Sequence, residues 1–132
     1  MENEDPLVEK DRIIDPAHAL ISSRRIEGTE VWNRTDGKLG TIHSLMIEKR
    51  RGKVAYALLS FGGFLGIGQR VHPVPWDMLR YDPAFDAYMV ELGYDQLKSA
   101  PTLHLDKADR PQGRAYDEQV AGYYGRTPWW GL

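Results

Sequence analysis

The segment Val54–Phe61 reads VAYALLSF, and both alternating sets of side chains are apolar along it: Val54, Tyr56 and Leu58 against Ala55, Ala57 and Leu59. Successive side chains of a strand point to opposite faces, so a strand apolar on both faces is covered on both. This requirement limits the architecture more than any other stretch of the chain. It fits a barrel strand packed on its outside by a helix, a tail or a partner.

The neighbouring segments read as further short strands separated by turns. Thr29–Asn33 carries Val31 and Trp32, both favourable in strands. It is followed by Arg34-Thr35-Asp36-Gly37, in which Asp-Gly is a strong hairpin signal. Lys38–Glu48 is the next strand, and Lys49-Arg50-Arg51-Gly52 the next turn. Phe61–Gly68 (FGGFLGIG) has four glycines in eight residues, which suits a loop or a strongly bent barrel corner. Gln69–Trp76 contains Pro73 and Pro75, so it is an edge strand, a bulge or an extended segment. Asp77–Arg80 is expected to form a helical turn and Ala87–Leu92 a strand. Beyond Gly93, Asp95–Ala100 reads as a short helix ended by Pro101, and Asp106–Arg114 as a linker. Ala115–Tyr124 reads as a helix of about three turns with Gly125 as its stop.

The chain has 132 residues, a formal net charge of −2 and no cysteine. The missing cysteines exclude disulfides, thiolate metal sites and cysteine nucleophiles. The charge is unevenly spread: residues 1–20 carry −4, residues 21–81 carry +5 and residues 82–132 carry −3. A basic middle between acidic ends either meets an anionic partner or is neutralised by the ends folding back. No stretch approaches the ~18 consecutive apolar residues of a membrane span. Met1–Lys10 is acidic without an apolar core, unlike a signal peptide. The expected location is the cytoplasm, with no membrane insertion.

Several blocks in order carry a family resemblance. They are Asp36-Gly37-Lys38-Leu39-Gly40 with Ile42, then Gly52-Lys53-Val54-Ala55-Tyr56. Gly62-Gly63-Phe64-Leu65-Gly66-Ile67-Gly68 follows, and then Val71, Val74-Pro75-Trp76 and Leu79. From about Leu20 to Pro101 the chain resembles the PRC-barrel family. That family includes the barrel in the cytoplasmic part of the photosynthetic reaction centre H subunit and the C-terminal domain of the maturation factor that assists 16S RNA processing. Asp95-Gln96-Leu97 with Ala100-Pro101 resembles the short helix that follows the barrel in free-standing bacterial members. The resemblance implies a mainly β fold: a small, highly bent antiparallel barrel of about six strands. A short helix follows the barrel, then a C-terminal helix and aromatic tail. It divides the chain into an acidic arm (1–19), the barrel (20–101) and a C-terminal extension (102–132). It also implies a structural or interaction module rather than an enzyme, with no cofactor.

The residues themselves agree with a non-catalytic reading. No GxSxG elbow, P-loop or HExxH is present. His18, His43, His72 and His104 show no metal-ligand spacing, although His43 and His72 meet across strands in some barrel registers, which leaves a low-weight small-ligand or metal site there. Tyr116, Tyr123, Tyr124, Trp129 and Trp130 gather five of the 14 aromatics near the C-terminus. Aromatics left in water are costly, so they pack on their own barrel or anchor a partner. The leading expectation is an interaction or assembly module, homodimeric, whose contact surface comprises Phe64, Leu65, Ile67, Trp76, Tyr123, Tyr124, Trp129 and Trp130. The partner is a second copy or another protein. The alternative is RNA or ribonucleoprotein binding through Lys49, Arg50, Arg51 and Lys53 on one hairpin tip, which Arg24, Arg25, Arg34 and Arg80 extend if they share its face.

Overall fold

Ser22 starts the first ordered element: its hydroxyl accepts from the Arg24 amide at 3.3 Å and caps the single turn α1 (Ser23–Ile26). A four-residue turn has no apolar period, and nothing in the pattern of the sequence announces it. The structure, a computed structural model, describes residues 19–61 and 70–131. The acidic arm and the glycine-rich run with Phe64, Leu65 and Ile67 lie outside those residues.

The strands follow the turns. β1 (Glu30–Asn33) and β2 (Gly37–Ile47) form the hairpin expected from Asp36-Gly37, and β2 continues antiparallel to β3 (Val54–Phe61). β4 (Arg70–Pro75) runs antiparallel to β3 and leads through a helical turn, Trp76–Met78, to β5 (Arg80–Asp82) and β6 (Ala87–Met89). The short helix α2 (Tyr94–Lys98) comes next, then β7 (Leu103–His104) and the helix α3 (Arg114–Tyr124). Gly125 ends α3 at a φ of 67°, a left-handed cap that only glycine adopts without cost.

The sheet order is β5-β6-β1-β2-β3-β4-β7. Three expectations need correction. Seven strands rather than about six are present among the described residues, and the sheet is not closed into a barrel. The additional strand is the two-residue β7, supplied by the segment after the short helix. The sheet is also not wholly antiparallel: β1 runs parallel to β6, with Val31 opposite Tyr88 and Trp32 opposite Met89. β4 borders β7 only at Arg70 and Val71, so among the described residues it is an edge over Pro73 and Pro75, one of the three forms expected of this segment. The part holding Pro73 and Pro75 lies beyond that contact and has β3 as its neighbour, which is how two residues without an amide hydrogen fit there.

β3 separates two hydrophobic clusters, as its sequence demands. Ala57 and Leu59 join Val31, Leu39, Ile42 and Val74 in the first. Tyr56 and Leu58 join Val71, Leu103, Ala108 and Val120 in the second. The outside of the sheet is thus covered by the chain's own C-terminal extension, through α3. At the other hairpin, Gly40 faces Phe61 so closely that a Cβ there would lie 1.9 Å from the carbonyl oxygen of Ser60. Asn33, buried, ties the first hairpin to the segment before α2. Its amide donates to the Val90 and Leu92 carbonyls (3.2 and 2.7 Å), and its Oδ1 accepts from the amides of Thr35 and Asp36. Asp36 then accepts from the Tyr94 amide at 2.7 Å and caps α2.

Candidate binding groove

The second cluster is not fully roofed. Between the β2–β3 hairpin end and the C-terminal extension lies an open groove of about 370 Å³. Its floor comes from Met46, Ala55, Tyr56 and Leu58 on β2 and β3 and from Leu103 on β7. Trp129 and Pro111 wall it from the extension. Met46 and Tyr56 are cross-strand partners, so the antiparallel register brings their side chains to the same face.

Cations border this apolar floor. Lys49 and Arg50 stand exposed on the hairpin turn, and Arg110 comes from the segment between β7 and α3. Arg110 shares the Asp109 carboxylate at 3.2 Å, whereas Lys49 and Arg50 have no acidic partner among the described residues. The two acids that line the groove are already satisfied. Glu48 accepts from the amides of Arg51 (2.8 Å) and Arg50 (3.1 Å) and pairs with the Arg51 guanidinium. The Arg51 amide is the main cause that holds its carboxyl below the ordinary range. Asp117 accepts from the Trp129 indole at 3.3 Å and lies against the Tyr56 hydroxyl.

The tyrosines beneath the extension act as fixed donors. Burial first, and the nearby Asp117 second, push Tyr56 far above its ordinary value. The same two causes, partly offset by Arg70, push Tyr116 up to about 12, and its hydroxyl donates to the Thr102 carbonyl at 2.9 Å. Both phenols thus stay protonated, so they pack and hydrogen-bond in the neutral form.

The expected contact residues fall in different places. Tyr124 and Trp129 are half-buried against the second cluster, and the Tyr124 hydroxyl is buried with no hydrogen-bond partner. Trp130 stacks edge-on to Trp129 at 5.4 Å, beneath the Arg114 guanidinium 4.4 Å from its ring. Tyr123 is exposed but donates its hydroxyl to the Gln96 carbonyl. Trp76 packs on the first cluster with its ring 5.3 Å from that of Tyr88. The five expected aromatics among the described residues are therefore all in contact with this chain's own residues. Arg51 is engaged by Glu48, while Lys49, Arg50 and Lys53 remain exposed.

The two histidines are not brought together. Leu59 faces Ile42 on one side and His72 on the other, so β3 stands between the strands of His43 and His72. His43 binds the Ser44 hydroxyl at 2.9 Å. His72 is buried beside Phe61, with ring centroids 5.6 Å apart. No group of three or more potential metal ligands occurs among the described residues.

A second, larger depression of about 600 Å³ lies on the β1–β5–β6 side. It is polar, and two of its cations are matched, Arg80 by Glu91 at 3.9 Å and Arg126 by Asp77 at 3.8 Å. Its third cation, Arg34, has no acidic partner among the described residues; the groove at the hairpin end differs in setting two unmatched cations beside a mostly apolar lining. No sequence motif marks it, because Arg110 and Pro111 sit in a stretch that reads as a linker.

The family model described as the PRC-barrel domain matches residues 19–97. That span runs through β6 and most of α2. β7, α3 and the wall of the groove formed by Arg110, Pro111 and Trp129 fall outside the match. No curated protein matches the chain.

Proposed function

The chain belongs to the PRC-barrel family, and on that premise we propose that it works by binding rather than catalysis, as an interaction module that docks through its β2–β3 hairpin end. PRC-barrel domains are interaction modules. The observation that carries the reading is the unmatched pair Lys49 and Arg50 above the half-exposed Ile47, at the open side of an apolar groove. Such a surface favours a partner that offers an apolar side chain framed by carboxylates.

The partner in this proposal is a second copy. The charge pattern supports it, because acidic ends of −4 and −3 complement a middle of +5. Exposed Ile47, Phe85 and Tyr123 supply apolar contact area. Light scattering at micromolar concentration is expected to return twice the chain mass of 15.1 kDa, and Arg50→Glu to lower it. A mass of one chain refutes the dimer. Affinity capture from the native cell then tests docking to another protein; we assign this activity to the cytoplasm. Among the described residues, no helix is long and apolar enough to cross a membrane.

RNA binding is the second reading, favoured by Lys49, Arg50 and Lys53 together on one exposed turn. It predicts that nuclease abolishes capture and that affinity falls steeply with salt, by roughly −0.7 in log–log slope per phosphate contacted. Capture that survives nuclease rejects it.

A further inference from the structure

We propose that the groove between the β2–β3 hairpin and the C-terminal extension binds a small free monocarboxylate with an apolar tail, the tail on the floor and the carboxylate at Lys49 and Arg50. This goes beyond docking to a protein. The volume of about 370 Å³ falls in the range of small-molecule sites, roughly 300–1,000 Å³.

Three observations select the ligand class. First, Met46, Ala55, Leu58 and Leu103 make a floor of hydrocarbon that the extension leaves partly uncovered. An apolar chain laid there completes the second cluster and leaves water. Second, β2 and β3 are paired with each other along this floor, Met46 with Tyr56 and Ile47 with Val54. A peptide backbone buried there gains no ladder partner and leaves its amides unsatisfied, whereas a hydrocarbon tail has no such groups. Third, the polar groups are arranged by sign. The acids Glu48 and Asp117 are occupied by donors of this chain, and the cations without a partner stand at the mouth. A negative head group is therefore drawn to the hairpin end.

Isothermal titration of the full-length chain with decanoate, hexanoate and decanol tests this. One decanoate is expected to bind per chain, saturably and below its micellar range. It should bind at least tenfold more tightly than hexanoate and about fivefold more tightly than decanol. Arg50→Glu should remove the preference for decanoate over decanol. Ala55→Phe, which fills the floor, should abolish binding of all three. Absence of saturable heat, equal affinity for decanoate and decanol, or an Arg50→Glu variant that keeps the preference overturns the proposal. Should Ala55→Phe fail to fold, the Arg50→Glu result still decides. A light-scattering mass of one chain in the absence of decanoate, from a protein that does bind decanoate, overturns the dimer alone; a protein that binds no decanoate overturns this site alone.

Discussion

Val120→Ala tests whether the C-terminal helix and the sheet unfold as one body. Val120 is 0% exposed, on α3, in the cluster shared with Leu58 and Val71 of the sheet. The substitution removes two buried carbons, about 1.6 kcal/mol at roughly 0.8 per methylene. The cavity left behind raises the cost to about 2.5 kcal/mol. Alanine's better helix propensity returns about 0.5. A net loss of about 2 kcal/mol, set against an unfolding entropy of ~2.1 cal/mol/K per residue, lowers the melting temperature by about 7 °C. Thermal melting by circular dichroism should show one transition shifted by that amount. Val31→Ala, at 1% exposure in the first cluster, serves as the control and should shift the same single transition. An unchanged main transition in Val120→Ala, with only the α3 amides exchanging faster, would refute the shared core.

Other substitutions probe single contacts. Gly40→Ala places a Cβ 1.9 Å from the Ser60 carbonyl oxygen, and a cost of about 3 kcal/mol is expected in urea unfolding; a loss below 1 refutes the close approach. Asn33→Asp turns an oxygen toward the Val90 and Leu92 carbonyls. That carboxyl should be driven to its neutral form, so the variant's stability falls as pH rises; a pH profile parallel to the parent's argues against it. Burial holds His72 below its ordinary value, and the Ala100 and Pro101 carbonyls oppose this only in part. Below its unfolded value of ~6.5 the unfolded chain takes up the proton first, so His72 costs stability as pH falls, at up to ~1.4 kcal/mol per pH unit. His72→Phe should flatten the fall of the urea midpoint as pH drops below ~6.5; an unchanged slope rejects the assignment.

Local chemistry made much of the fold legible. Asp36-Gly37 marked the first hairpin, and Gly125 the end of the last helix. The double-sided apolar pattern of β3 required an outer cover, which α3 supplies. The prolines at 73 and 75 suggested an edge strand, a bulge or an extended segment, and β7 lies beside β4 only at Arg70 and Val71, before them. The groove was not legible. Its basic rim joins Lys49 and Arg50 to Arg110, about 60 residues away, and its floor joins Met46 to Leu103. Spacing along the chain carries no signal for such meetings.

The sequence by itself did not mark the short β5 and β7; it determined the segments of β1, β2, β3 and β6, the turn of the first hairpin, and that the central strand needs partners on both faces. These follow from side-chain periodicity and from the backbone freedom of glycine and proline, which are properties of a few neighbouring residues. Only the tertiary structure decided the parallel pairing of β1 with β6, the open order of the sheet, the separation of His43 from His72, and the use of Tyr124 and Trp129 inside the chain's own second cluster. Backbone hydrogen bonds are the same for every strand, so partner choice depends on which apolar faces fit together at long range.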